Sequence, residues 1–430
     1  MPDREKFVIE GGARLGGELT PGGSKNEVLP CLAASLLTDE PVVLSNVPRI
    51  RDVEVMIEIL EELGSSAEWL DPHTLRLHNK KILTTAPPQE LCARVRASIL
   101  YAGPMLGRMH RVDLPPPGGD VIGRRRLDTH FLGFQALGAT VEAQDRGFRI
   151  ATDKLVGAEI FLDEASVTGT ENIIMAAALA RGTTILRNAA CEPHVQGLCR
   201  MLVGMGAQID GIGTHLLRIH GQDRLRGVEH RISSDYLEIG SFIGLAAVTG
   251  GGLIVNDVVP ADLRMVKVVF QRLGVEFEIE GNRAIVPPDQ NLEVRYDFHG
   301  EIPQIDDAPW PAFPTDLMSI AITIATQSKG TVLFFEKMFE GRMFFTDSLK
   351  SMGARIILCD PHRAVVVGPA QLYGATLDSP DVRAGMSLLI ASLAAQGQST
   401  IYNVRQIDRG YERVDEKLRA LGANIERLPG

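Results

Sequence analysis

One short signature recurs six times along this chain and governs most of what it can fold into. Leu or Met is followed by Gly, usually then by Ala, and then by a strand-like run. The copies stand at Leu63-Gly64, Leu137-Gly138-Ala139, Met205-Gly206-Ala207, Leu273-Gly274-Val275, Met352-Gly353-Ala354 and Leu421-Gly422-Ala423. Each follows an amphipathic helical pattern: Leu263, Val266, Val269, Phe270 and Leu273 fall on one face at helical spacing. The glycine then ends the helix as a C′ residue does. Five units also carry a small-residue turn and strand, as in "EPVVLSNV", "RGTTILRNA" and "GQSTIYNV". Before those strands lie helices apolar almost all round, such as "VLPCLAASLL", "NIIMAAALA" and "GSFIGLAAV", and such helices belong inside a core. Units that cannot cover their own apolar faces must pack around shared cores. Three per core gives an α/β chain of two lobes, each of about 200 residues. The expected boundaries are 22–233 for the first lobe and 1–21 plus 234–430 for the second. A ligand site is expected in the cleft between them.

The first turns of the buried helices hold the informative residues. They carry Lys25 and Asn26, then Arg96, then Thr170, Glu171 and Asn172, then Asp235, then Asp316 after the N-cap candidate Thr315, and finally Asp381 and Arg383. A cation at a helix N-terminus opposes the macrodipole by ~0.3–1 kcal/mol. Lys25, Arg96 and Arg383 therefore stand where local stability disfavours them. Either each pairs with a neighbouring carboxylate, or a bound anion uses the free N–H groups and the positive helix end. A second anion-seeking stretch is "PPPGGDVIGRRRLDTH", which brings Asp120 close to Arg124, Arg125 and Arg126. It reads as an exposed turn with solvated charge, or as a mobile loop carrying an acid to an anion site.

Composition excludes several classes. The net charge of −10 argues against general affinity for nucleic acid or for anionic membranes. The longest apolar runs are short and broken by glycine, and the opening MPDREK has no apolar signal region. The five cysteines have no CxxC or Cys/His spacing, so neither a metal site nor a disulfide framework is expected, and a reducing cytoplasm is. No P-loop or GxGxxG follows a strand.

The stretches "GGSKNEVLP", "RVRASIL", "GGDVIGRRRLDTH", "ENIIMAAALARGTT", "NAACEP", "PAFPTDLMS", "FEGRM", "DVRAGMSL" and "IDRGYERVDEKLRALGANIE" resemble the UDP-N-acetylglucosamine enolpyruvyl transferases (UDP-N-acetylglucosamine 1-carboxyvinyltransferases). The motifs run in family order from Gly11 nearly to the C-terminus. The resemblance implies a two-lobed inside-out α/β barrel: six βαβαββ-like repeats, three per lobe, with buried central helices. It implies transfer of the enolpyruvyl group of phosphoenolpyruvate to the 3′-hydroxyl of UDP-N-acetylglucosamine. Phosphate is released in this first committed step of peptidoglycan synthesis, and no metal or organic cofactor takes part. It assigns Lys25 and Asn26 to phosphoenolpyruvate, with Arg125, Arg342, Arg383 and Arg409 completing an anion clamp. It assigns Arg96, the run Arg125, Arg126, Leu127, Asp128 and Thr129, and the Met338 backbone to the nucleotide sugar. Asp316 is then the general base, and Asp381 orders the last helix start or the proton relay. The loop 115–126 becomes an active-site lid with Asp120, where most members have Cys, as proton donor. Catalysis is thus expected of Asp120, Asp316, Lys25 and Arg409. Two further departures are Arg125-Arg126 in place of Arg-Pro, and Thr168-Gly169 in place of the usual Gly-Ala order before Thr170. Alternatives are another acceptor, such as a uridine nucleotide or shikimate 3-phosphate, or a non-catalytic UDP-sugar-binding paralogue. The expected protein is a cytoplasmic monomer or weak homo-oligomer whose partners are its two small-molecule substrates.

Overall fold

The structure is a computed structural model that describes residues 5–119 and 122–429. The chain divides into two compact units. One holds the described residues of 23–120 and 125–233, the other those of 1–22, 121–124 and 234–430.

Each unit contains three sheets and three buried helices. In the unit starting at Gly23 the buried helices are Lys25–Ala34, Ala102–Met109 and Val167–Ala177. The second of these is entered through a 3-10 turn, Arg96–Tyr101. The first sheet places strand Val42–Ser45 between Thr74–His78, antiparallel, and Val228–Arg231, parallel. The last strand of this unit thus returns to its first sheet, Val42 opposite Val228, and closes the unit on itself.

The other unit repeats the plan with helices Tyr236–Thr249, Met318–Gln327 and Val382–Ala394. Every residue from Tyr236 to Ala247 is buried, which is why that helix is apolar on all sides. The three helices pack against one another inside a single apolar cluster. N-terminal strands Glu5–Glu10 and Gly17–Leu19 complete two of this unit's sheets.

The surface helices bury one face each. On Arg264–Arg272 the buried positions are Val266, Val269 and Phe270, flanked by buried Leu263 and Leu273. All six signature glycines take positive φ, between 85° and 106°. That left-handed backbone is costly for L-residues, so the repeated Gly is a conformational requirement at each helix end. Among the described residues no helix is long and apolar enough to cross a membrane.

Candidate active site

Asp316 is the centre of the richest cluster. It lies in the 3-10 turn Thr315–Leu317 that opens helix Met318–Gln327. Its Oδ1 accepts from Arg342 Nη2 at 2.5 Å, and its Oδ2 from Arg383 Nε at 3.2 Å. Both arginines are almost wholly buried, with side chains 11% and 6% exposed. Burial alone would lower the Arg383 pKa, but Asp316, Tyr411 and Asp235 more than offset it and hold the charge. For Arg342 the same burial is outweighed by Asp316, Asp381 and Glu336. Yet Arg342 Nε and Arg383 Nη1 are buried and have no hydrogen-bond partner among the described residues. Buried donors of this kind are normally satisfied, so two vacant guanidinium donors beside one carboxylate suit an incoming anion.

Asp381 caps helix Val382–Ala394, its Oδ1 accepting from the N–H groups of Arg383 (2.8 Å) and Ala384 (3.0 Å). The cation at the helix start thus has a capping carboxylate at its side and Asp316 across from it. Arg409 ends the 3-10 segment Val404–Arg409 and donates to Gln406 Oε1 at 3.0 Å. Met338 is half-buried, and its N–H donates to Glu336 Oε1. Thr315 does not act as the expected N-cap. Its hydroxyl is taken by the Glu336 carboxylate at 2.9 Å, and Pro314 holds the cap position.

The other unit carries the remaining cations. Lys25, the first residue of its helix, pairs with Asp52 at 2.8 Å, with both side chains nearly buried. Asn26 beside it is half-buried. Arg96 Nη2 donates to the Arg125 carbonyl at 2.7 Å. Burial and the neighbouring Arg125 charge push the Arg96 pKa down to about 10, the mark of a cation lacking compensating negative charge. Arg126 is exposed and pairs with Asp163 (2.8 Å) and Glu164 (3.5 Å). The Thr129 hydroxyl is buried against the same two carboxylates, at 2.9 and 3.2 Å. Leu127 is half-buried, and Asp128 is exposed in the first turn of helix Asp128–Ala136, where negative charge suits the dipole. Asp120 lies outside the described residues. Beyond it, Ile122 O accepts from Gly341 N and Arg124 N donates to Glu340 Oε1, both at 2.9 Å.

Of the helix-start cations, Lys25 and Arg383 pair with carboxylates, and Arg96 donates to a backbone carbonyl. Sequence reasoning missed Glu336, Asp307 and Tyr411, which support this cluster from behind. Tyr411 is buried, bonds Ser241 Oγ at 2.9 Å and sets its ring 5.5 Å from the Arg383 guanidinium. It stood in the quoted "DRGYER" run. The signal for Glu336 was a charged residue following the apolar strand "GTVLFF".

Residues 9–418 match the family model described as EPSP synthase (3-phosphoshikimate 1-carboxyvinyltransferase). The chain is 54% identical to UDP-N-acetylglucosamine 1-carboxyvinyltransferase of Bradyrhizobium diazoefficiens, covering 99% of this chain and 98% of that one. It is 55% identical to the protein of that name from Treponema denticola, covering 98% and 99%. Among solved structures, the enolpyruvyl transferase NikO from Streptomyces tendae superposes over 100% of both chains with a TM-score of 0.87 at 22% identity. EPSP synthase from Acinetobacter baumannii gives 0.75 at 17% identity, over 99% of this chain and 100% of that one. At those identities the two structures speak for the fold, a two-domain α/β architecture. The chain belongs to the EPSP synthase family of enolpyruvyl transferases, beside its UDP-N-acetylglucosamine 1-carboxyvinyltransferase members.

Proposed function

We infer that this chain transfers the enolpyruvyl group of phosphoenolpyruvate to the 3′-hydroxyl of UDP-N-acetylglucosamine and releases phosphate, a reading supported by its relatives' name, UDP-N-acetylglucosamine 1-carboxyvinyltransferase. The observation that carries the mechanism is Asp316 held between two buried arginines that each keep an unused donor. A carboxylate clamped by two guanidinium groups is a weak base. When the anionic phosphoenolpyruvate draws those donors to itself, Asp316 is released from part of its pairing and its basicity rises. It can then accept the proton of the sugar hydroxyl as that oxygen attacks C2. C3 takes a proton from Asp120. The tetrahedral adduct then loses phosphate while the Asp120 carboxylate takes a proton back from C3, so that the C2–C3 double bond re-forms, with Lys25, Arg125, Arg342, Arg383 and Arg409 facing the developing charge. Arg96 and the segment 125–129 serve the nucleotide sugar. Its place would be the first committed step of peptidoglycan synthesis. Five cysteines without a disulfide support a cytoplasmic location.

Phosphate release from phosphoenolpyruvate, measured with UDP-N-acetylglucosamine, UMP or shikimate 3-phosphate offered separately, tests the acceptor. Turnover only with the first is expected; turnover only with another, or none, overturns the reading. Asp316→Ala should lower kcat by ~10²–10⁴-fold while changing substrate binding far less. Near-full turnover in that variant would remove Asp316 from the base role.

A further inference from the structure

Behind Asp316 and Arg342 lies a second pair of acids that this reading leaves without a task. Glu336 follows strand Gly330–Phe335, and Asp307 follows strand Gln304–Asp306, its parallel neighbour. Both residues are 0% exposed. Glu336 Oε1 accepts from the N–H groups of Met338 (3.1 Å) and Phe339 (3.0 Å), and Oε2 accepts from the Thr315 hydroxyl (2.9 Å). Asp307 Oδ1 accepts from Lys337 N at 2.6 Å. Among the described residues Asp307 Oδ2 is buried with no hydrogen-bond partner, and the parallel register that pairs Asp306 with Phe335 sets Asp307 beside Glu336. Two ionised carboxylates in that position would repel strongly in a medium that screens them little. A proton between them removes the repulsion and supplies Oδ2 with its missing partner.

We propose that Glu336 and Asp307 share one proton, and that this singly charged pair makes Glu336 a positioning residue for the reaction. Its carboxyl fixes Thr315, adjacent to Asp316, and the start of the segment from Met338 to Arg342. The proposed base and one arginine of its clamp are thereby set in register from a single buried group. The positioning role rests on the reading given under Proposed function; the shared proton does not.

The charged and titratable groups around the pair are Asp306, which pairs with Lys337, then Arg342, Asp316 beyond it, and His362, whose Nδ1 meets the Glu336 carbonyl oxygen at 2.6 Å. Burial, and after it the Asp307 hydrogen bond and charge, push the Glu336 pKa up to about 8, against the opposing pull of Arg342 and Thr315. A raised carboxyl pKa means the folded chain binds the proton more tightly than the unfolded one. This contribution to stability is therefore complete below the ordinary carboxylate pKa and is lost as pH rises towards about 8.

Infrared difference spectra at neutral pH, wild type minus Glu336→Gln and wild type minus Asp307→Asn, test the proton directly. Both should show loss of one protonated-acid C=O stretch; no lost band in either overturns the shared proton. Kinetics test the positioning. Glu336→Ala should lower kcat by about 10²-fold, the scale of a 1 Å misplacement. Glu336→Gln should recover most of the rate and lack the wild-type alkaline fall of kcat near pH 8. An unchanged alkaline limb in Glu336→Gln, or wild-type kcat in a folded Glu336→Ala protein, overturns the positioning role. Wild type without phosphate release would refute the functional reading and the positioning with it, while the infrared result would still decide the proton.

Discussion

Burial raises the pKa of the Cys31 thiol well above its ordinary value and pushes those of Cys92 and Cys191 up to about 11 and of Cys199 up to about 12. At neutral pH these four sulfurs are thiols, which are poor nucleophiles. Cys359 is exposed on strand Arg355–Asp360, outside every motif of the family. The loop position that is Cys in most members is Asp120, as the sequence states, and a carboxylate opens an epoxide far less readily than a thiolate. Fosfomycin acts on this family through that loop thiolate. The chain should therefore turn over normally in its presence and resist covalent inactivation. Asp120→Cys should stay active, lose activity to fosfomycin irreversibly and gain its mass on the loop peptide. Rapid inactivation of the unmodified protein, with an adduct on any of its five cysteines, would contradict this.

At the scale of elements, the repeat was readable because each copy repeats a physical need. Among the described residues a left-handed residue must end six surface helices, and five of the six inner helices need apolar side chains almost all round, Ala102–Met109 being buried only as far as Leu106. What the sequence did not reveal lies in long-range partner choice. Nothing local makes Lys25 choose Asp52, makes Thr315 give its hydroxyl to Glu336, or sets the 3-10 entry at Arg96. Asp381 is the opposite case, since its place before "VRAGMSL" already marks a cap. Removing the cap in Asp381→Ala should cost ~1 kcal/mol, seen as about 2–4 °C in the melting temperature of a unit this size. Asn caps as well as Asp, so Asp381→Asn should restore the melting temperature. The negative charge that Asp381 lends to Arg342 is missing in both variants. If that charge matters to catalysis, both lose kcat although only one loses stability. Equal kcat in Asp381→Asn and wild type would reduce Asp381 to its cap.

For the whole molecule the decisive quantity is charge. Lys25, Arg96 and Arg125 belong to one unit; Asp316, Arg342, Arg383 and Arg409 belong to the other. The proposed substrates carry a phosphate and a carboxylate on one and a diphosphate on the other. Neither set of cations alone neutralises both, so the proposed mechanism draws on both sets. The chain passes between the units on either side of the short segment that ends at Arg124, and in two adjacent runs at Gly22–Gly23 and Ser233–Ser234. On one side of that crossing Asp235 N donates to Gly22 O at 3.0 Å, and on the other Ser24 N donates to Ser233 O at 2.7 Å. The two crossing runs are thus bonded to each other on both sides, a short double connection that can bend without unfolding either core. The nucleotide sugar, as the larger ligand, should draw the units together first and complete the phosphoenolpyruvate site. Small-angle scattering should then show a smaller radius of gyration with UDP-N-acetylglucosamine than without it. Calorimetry should show phosphoenolpyruvate binding more tightly to that binary complex than to the free protein. An unchanged radius of gyration, together with equal phosphoenolpyruvate affinity in the two states, would mean that the cations need no convergence and that each unit binds its substrate alone.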